Sequence, residues 1–202
     1  MLDAVREGPE GTPASELAAL RPPLVDLVSR IREVVGRGLS DQQTADAVGR
    51  ELRPVLAVPD LLGAEQRRGS ADGYTQHLLH VEPGGSFSVV ALVWLPGQAT
   101  AVHDHVSWCT VGVYQGCESE VRYRITGPPG RQRAVETGSG VSPAGTVSAL
   151  APPGDVHRVL NCGTSTAISL HVYGGDLTSV GSSIRRAYPI ELVTTSGSAH
   201  VK

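Results

Sequence analysis

Three histidines carry the chemistry of this chain. The pattern Gly97-x5-His103-x-His105-x3-Cys109-x6-Gly116 is followed by Pro152-x-Gly154-x2-His157-x3-Asn161. Two histidines one residue apart on a strand point to the same face, because side chains alternate with period two. The third arrives from a separate strand, just after Pro/Gly turn chemistry. Three imidazoles converging inside a β-structure make a metal site, and three ligands leave open positions for substrate. Imidazole suits Zn, Cu, Fe and Ni alike, so the donor set does not choose the metal. The place where many three-histidine β-barrel sites add a carboxylate ligand holds Cys109. A neutral ligand set leaves more positive charge on the metal for an anionic partner such as a thiolate. Cys109 itself reads as a soft ligand, a redox-active neighbour or a small buried hydrophobe.

A second constellation lies at Ser169-Leu170-His171-Val172-Tyr173. Alternation puts Ser169, His171 and Tyr173 on one face, with Leu170 and Val172 on the other. Three hydrogen-bonding side chains in a row inside a barrel are costly unless they bond to one another, which predicts a Ser–His–Tyr relay aiming a phenol at the metal. Nucleophilic catalysis fits poorly, since no acid orients the histidine and no nucleophile elbow is present.

The elements that must hold these residues are mostly strands. Tyr74 to Val81, Ser86 to Leu95, Cys109 to Tyr114, Ser119 to Thr126, Thr146 to Ala151 and Ala167 to Tyr173 read as strands separated by Pro/Gly-rich turns. Many short strands at this spacing predict a mainly β fold, a double-sheet jelly-roll barrel whose interior can hold one small ligand. Residues 127–145 read as a poorly hydrophobic hairpin or loop. Ahead of the barrel, Leu17, Leu20, Leu24, Leu27, Val28, Ile31 and Val35 form an amphipathic stripe. Ser15 caps a short first helix, Pro22-Pro23 starts a second, and Gly36 and Gly38 stop it. Ser40 with Gln43 starts a third that runs to Pro54. The expected organisation is a mobile arm (1–14), a helical segment packed on the barrel (15–72), the barrel with its metal site (73–193) and a mobile tail (194–202). Trp94 and Trp108 are expected in the core or pocket wall. Gln76 and His80 are expected to share a strand face.

Bulk properties exclude several classes. The chain has 202 residues, net charge −3 and 17 scattered Lys and Arg, so no nucleic-acid partner is expected. The longest apolar run, Val89 to Leu95, is too short to span a bilayer, and no membrane partner is expected. Three cysteines without a CxxC pair, and no recognisable leader, read as a reduced cytoplasmic protein.

The two histidine patterns resemble the paired motifs of the cupins. Their details resemble the thiol dioxygenases of the cysteine dioxygenase and 3-mercaptopropionate dioxygenase group. Tyr74-Thr75-Gln76-His77-Leu78-Leu79-His80, Phe87-Ser88-Val89-Val90, Trp94-Leu95-Pro96-Gly97-Gln98, His103-Asp104-His105, Gly154-Asp155-Val156-His157-Arg158-Val159 and Ser169 to Gly174 carry the likeness. The resemblance implies a mononuclear non-haem Fe(II) on His103, His105 and His157. It implies a small thiol and O2 as substrates, and a sulfinic acid as product. It assigns Tyr173, His171, Ser169 and Cys109 to catalysis, with a Cys109–Tyr173 thioether as one option. It assigns Tyr74, Gln76 and Arg186 to substrate binding. Gln76 stands where cysteine dioxygenases carry an arginine, which disfavours cysteine. Arg186 is the candidate carboxylate anchor, although the segment from Gly174 to Arg186 is longer than in the relatives, and Asp176 adds negative charge near the mouth. A 3-mercaptopropionate-like acid, or a bulkier thiol such as ergothioneine, fits this pattern. The alternatives are a non-catalytic small-ligand-binding cupin, or a cupin isomerase or hydrolase on Ni, Mn or Zn.

Overall fold

The computed structural model describes residues 20–128, 131–188 and 192–193. The expected arm, the Ser15 cap and the whole of the expected tail lie outside them. Two helices lead, α1 (Pro22–Val35) and α2 (Asp41–Val55), then a single 3-10 turn at Glu65–Arg67. The strands are β1 (Thr75–Val81), β2 (Ser88–Trp94), β3 (His103–His105), β4 (Cys109–Gln115), β5 (Cys117–Thr126), β6 (Arg133–Pro143), β7 (Val147–Leu150), β8 (His157–Asn161) and β9 (Ala167–Tyr173). A four-residue helix α3 (Leu177–Val180), β10 (Ile184–Ala187) and β11 (Leu192–Val193) complete the described elements. One sheet runs β1-β2-β9-β4-β7 and the other β10-β3-β8-β5-β6-β11. All pairings are antiparallel except β11 with β6. Side chains from both sheets line one cavity between them, so the expected mainly β double-sheet barrel with N-terminal helices is what forms.

The helices begin and end where local chemistry dictates. Proline opens α1, where its missing N–H costs nothing. Ser40 caps α2, and its backbone N–H donates to Gln43 Oε1 at 3.2 Å, which makes a capping box. Pro54 falls in the last turn. Leu24, Leu27, Val28 and Ile31 of α1 and Val48 and Leu52 of α2 pack on the outer face of the first sheet, against Val89, Ala91, Val93, Leu170 and Val172. The even-numbered Val90, Leu92 and Trp94 turn the other way, into the barrel interior with Tyr173 and Leu177. Strands β2 and β9 are therefore buried at every residue, which explains why Ser88–Trp94 reads as a nearly continuous apolar run. Gly112 lets α2 approach β4 closely: a Cβ there would lie 2.8 Å from Leu52 Cδ2.

Of the hairpin and the loop expected at 127–145, the structure has the first: β6, an eleven-residue strand, folds back antiparallel and hydrogen-bonds along the whole of β5. It lies at the polar rim, with Gly138, Ser139 and Gly140 among its residues, so hydrophobic patterning could not reveal it. His80 does not share a face with Gln76. A β-bulge between Leu78 and His80 breaks the alternation. It buries His80 against Phe87, where its Nε2 meets Glu82 Oε2 at 3.0 Å and Arg32 completes the cluster through Glu82.

Candidate metal centre and proton relay

His103 and His105 flank Asp104 on the short β3, and His157 on β8 pairs directly opposite His103. All three are buried, and each offers a ligating nitrogen within 4.8 Å of the others. The Nε2 atoms of His157 and His103 lie 3.3 Å apart. Every Nδ1 is engaged on the outer side. His103 Nδ1 faces Ala101 O at 3.0 Å, His105 Nδ1 faces Asp155 Oδ2 at 3.0 Å, and His157 Nδ1 faces Glu120 Oε1 at 2.6 Å. These acceptors place the ring protons on Nδ1 and leave the Nε2 lone pairs converging inward, the usual outer support of metal-bound histidine. Burial, then the charges of His157 and His105, push His103 down to about 3. Burial also lowers His105, although Asp155 opposes it. Neutral imidazoles are what a metal requires. Among the described residues no carboxylate or thiol joins the set. The donor set therefore fits a three-histidine transition-metal centre with open positions.

Asp104 points away from this cluster. Its Oδ2 accepts from Arg185 at 2.7 Å, Arg186 at 3.0 Å and Tyr188 at 2.9 Å. These contacts clamp β10 onto β3, and the guanidiniums and phenol outweigh burial to hold the Asp104 carboxyl down at about 2. Arg186 is thus engaged outside the cavity and is not among its lining residues, contrary to the anchor role expected of it. Asp176 caps α3 through the Thr178 and Ser179 amides, at 2.8 and 3.3 Å, and does not line the cavity either.

The cavity, ≈ 30 Å3 in volume, brings together most of the other expected residues. His103, His105 and His157 form one wall; Tyr74, Gln76, Trp94, His171 and Tyr173 face them from the first sheet. Tyr74 packs against Trp94 in a tilted pair with ring centroids 4.6 Å apart. The side chains expected to form a relay lie in hydrogen-bonded series: Tyr173 Oη is 3.0 Å from His171 Nδ1, and His171 Nε2 is 2.9 Å from Ser169 Oγ. Burial drives His171 down to about 3 and raises the Tyr173 phenol well above its ordinary value. Cys109 on β4 sits directly across from Tyr173 on β9. Its Sγ is 3.9 Å from His171 Nδ1 and outside the metal cluster, and burial pushes its thiol strongly up. Of the three readings of Cys109, the soft ligand is therefore the one the geometry disfavours.

Sequence reasoning missed four contributors. Asp155 and Glu120 orient His105 and His157, and Ser183, next to β10, reaches Tyr173. Glu118 lies behind Ser169. Asp155 stands two residues before His157, a signal that was available; the other three come from strand pairings that spacing does not disclose.

Residues 18–183 match the family model described as cysteine dioxygenase type I. Among solved structures, the chain is similar to TT1209 from Thermus thermophilus, at 21% identity over 58% of this chain and 98% of that one, with a TM-score of 0.41. It is also similar to an uncharacterised conserved protein with a double-stranded beta-helix domain from Klebsiella pneumoniae, at 23% identity over 55% and 85% of the two chains, with a TM-score of 0.40.

Proposed function

Because the chain belongs to the cysteine dioxygenase type I family, we propose that it is a mononuclear Fe(II) thiol dioxygenase. Its reaction is R–SH + O2 → R–SO2H on a small thiol. The observation that carries this reading is the buried His103–His105–His157 set facing the Ser169–His171–Tyr173 relay across one small cavity. Iron, when bound to the three Nε2 atoms, supplies redox chemistry and open positions at which thiol and O2 can meet.

The chain's own residues do the positioning. Asp155, Glu120 and the Ala101 carbonyl fix the ring orientations, so the open positions face the relay. Tyr173, held by His171, presents a phenol oxygen to the cavity, where it can donate to or accept from the reacting groups. Leu92, Trp94, Val111 and Val159 exclude water from the remaining wall. Tyr74 and Gln76 offer neutral contacts to the far end of the thiol.

Retention of Arg186 by Asp104 leaves the cavity lining without a guanidinium, so Tyr74 and Gln76 offer only neutral contacts to a substrate carboxylate; this disfavours cysteine and leaves 3-mercaptopropionate and ergothioneine for the substrate panel to decide. A neutral amide gives up about 1–2 kcal/mol against a bidentate guanidinium–carboxylate pair. The test is oxygen uptake by Fe(II)-loaded protein with cysteine, 3-mercaptopropionate, cysteamine, mercaptosuccinate and ergothioneine, with mass spectrometry of each product. Thiol-dependent uptake with a product heavier by one O2 is the expected result. Iron-loaded protein that consumes no oxygen with any thiol overturns the reading in favour of a small-ligand-binding cupin or one using another metal.

A further inference from the structure

We propose that Glu118 is the far terminus of a proton relay running Tyr173–His171–Ser169–Glu118. In this relay, the presence or absence of a proton on Glu118 decides which way the Tyr173 hydroxyl points.

Glu118 lies near the start of β5, behind the first sheet's relay strand. It is 4% exposed, and its Oε1 has no hydrogen-bond partner. The Ser169 hydroxyl and the Trp94 indole are the polar groups that act on its carboxyl. Trp94 Nε1 also donates to Ser169 Oγ at 3.2 Å. From Ser169 the chain continues through His171 to Tyr173 by contacts of 2.9 and 3.0 Å. A carboxylate buried without a cation is expensive, and proton uptake is the cheapest relief. Among the described residues, the ionisable groups that act on it bring no cation: Glu120 on its own strand, Cys109 from β4 and Cys162 just after β8. Burial raises the Glu118 carboxyl to about 7, against the pull of Ser169 and Trp94.

Along the relay, hydrogen-bond counting permits two self-consistent arrangements. With Glu118 ionised, Ser169 donates to the carboxylate and accepts from His171 Nε2–H. His171 Nδ1 then accepts the Tyr173 hydroxyl, and the phenol oxygen offers only lone pairs to Ser183 and the cavity. With Glu118 protonated, its O–H donates to Ser169, Ser169 donates to His171 Nε2, and His171 Nδ1–H donates to Tyr173. The Tyr173 hydroxyl is then free to donate into the cavity. Conversion moves the phenol proton to Nδ1, the Nε2 proton to Ser169 and the Ser169 proton to Glu118. One proton enters at Tyr173 from the cavity side and replaces the phenol proton. No intervening residue ends up charged, and the net change is one proton bound at Glu118. Under the thiol-dioxygenase reading, on which only this consequence rests, a thiol that ionises in the cavity has an acceptor for its proton. Glu118 touches no reacting atom and is a positioning residue.

The test uses zinc-loaded protein, which imidazole binds readily and which is diamagnetic. The ring-nitrogen shifts of His171 and the carboxyl-carbon shift of Glu118 are followed by NMR through about two pH units on either side of 7. The expected result is one shared midpoint near 7, with the His171 proton on Nε2 at high pH and on Nδ1 at low pH while the ring stays neutral. In Glu118→Gln the His171 changeover is lost. A single His171 tautomer across the range, separate midpoints for the two residues, or a changeover that survives Glu118→Gln overturns the proposal. The wild-type measurement decides even if the variant does not fold. It involves no turnover, so failure of the oxygen-uptake assay leaves it unaffected.

Discussion

Replacing Glu118 by glutamine changes how stability depends on pH, and the sign follows from burial. The folded carboxyl holds its proton to about 7, against an ordinary value of 4.5. Below 4.5 both folded and unfolded chains bind the proton, and Glu118 contributes no pH dependence. Between 4.5 and about 7 the unfolded chain has released it while the folded chain keeps it, so stability falls as pH rises, by about 1.4 kcal/mol per unit. Above about 7 the loss levels off, at roughly 3 kcal/mol in all. Glutamine cannot ionise, so the variant lacks this decline. Urea unfolding of both proteins across the interval, read as variant minus wild type, is the assay. His103 and His171, which also titrate between folded and unfolded chains, cancel in that difference. The fit of the amide against Ser169 and Trp94 sets a constant offset but not the slope. The variant should gain about 3 kcal/mol on wild type from the acid to the neutral end. A flat difference, or one of opposite slope, would mean that Glu118 is ionised in the folded protein at acid pH, and would refute the burial argument.

Other outcomes follow from the same geometry. Asp155→Asn keeps the shape beside His105 but loses the carboxylate that holds Nδ1–H, and should weaken metal binding about 10- to 100-fold in a competitive chelator titration. Arg186→Ala, at a side chain 59% exposed and turned to Asp104, should leave the thiol KM within about twofold in oxygen-uptake kinetics; a tenfold rise would return Arg186 to the cavity as the anchor. Gly174→Ala would drive a Cβ into the Trp108 indole, and should cost about 1–3 kcal/mol in denaturant unfolding.

The types and spacing of His103, His105 and His157, and the alternation of Ser169, His171 and Tyr173, were legible from the chain because they follow from strand geometry alone. So were the helix starts at Pro22 and Ser40, and the two-sided burial of Ser88–Trp94, each set by neighbours a few residues away. The tertiary structure decided the rest. The bulge after Leu78 moved His80 to the helix side, and β6 formed on hydrogen bonding to β5 without a hydrophobic signal. Arg186 and Asp104 lie far apart in sequence, and only the pairing of β10 with β3 joins them and draws the arginine out of the cavity. Glu118 is an ordinary surface-type residue in the sequence. It becomes a buried acid because β5 in one sheet passes behind Ser169 in the other. Local periodicity fixes which side chains share a face; which charges meet across the barrel depends on register and sheet order, and these are properties of the closed fold.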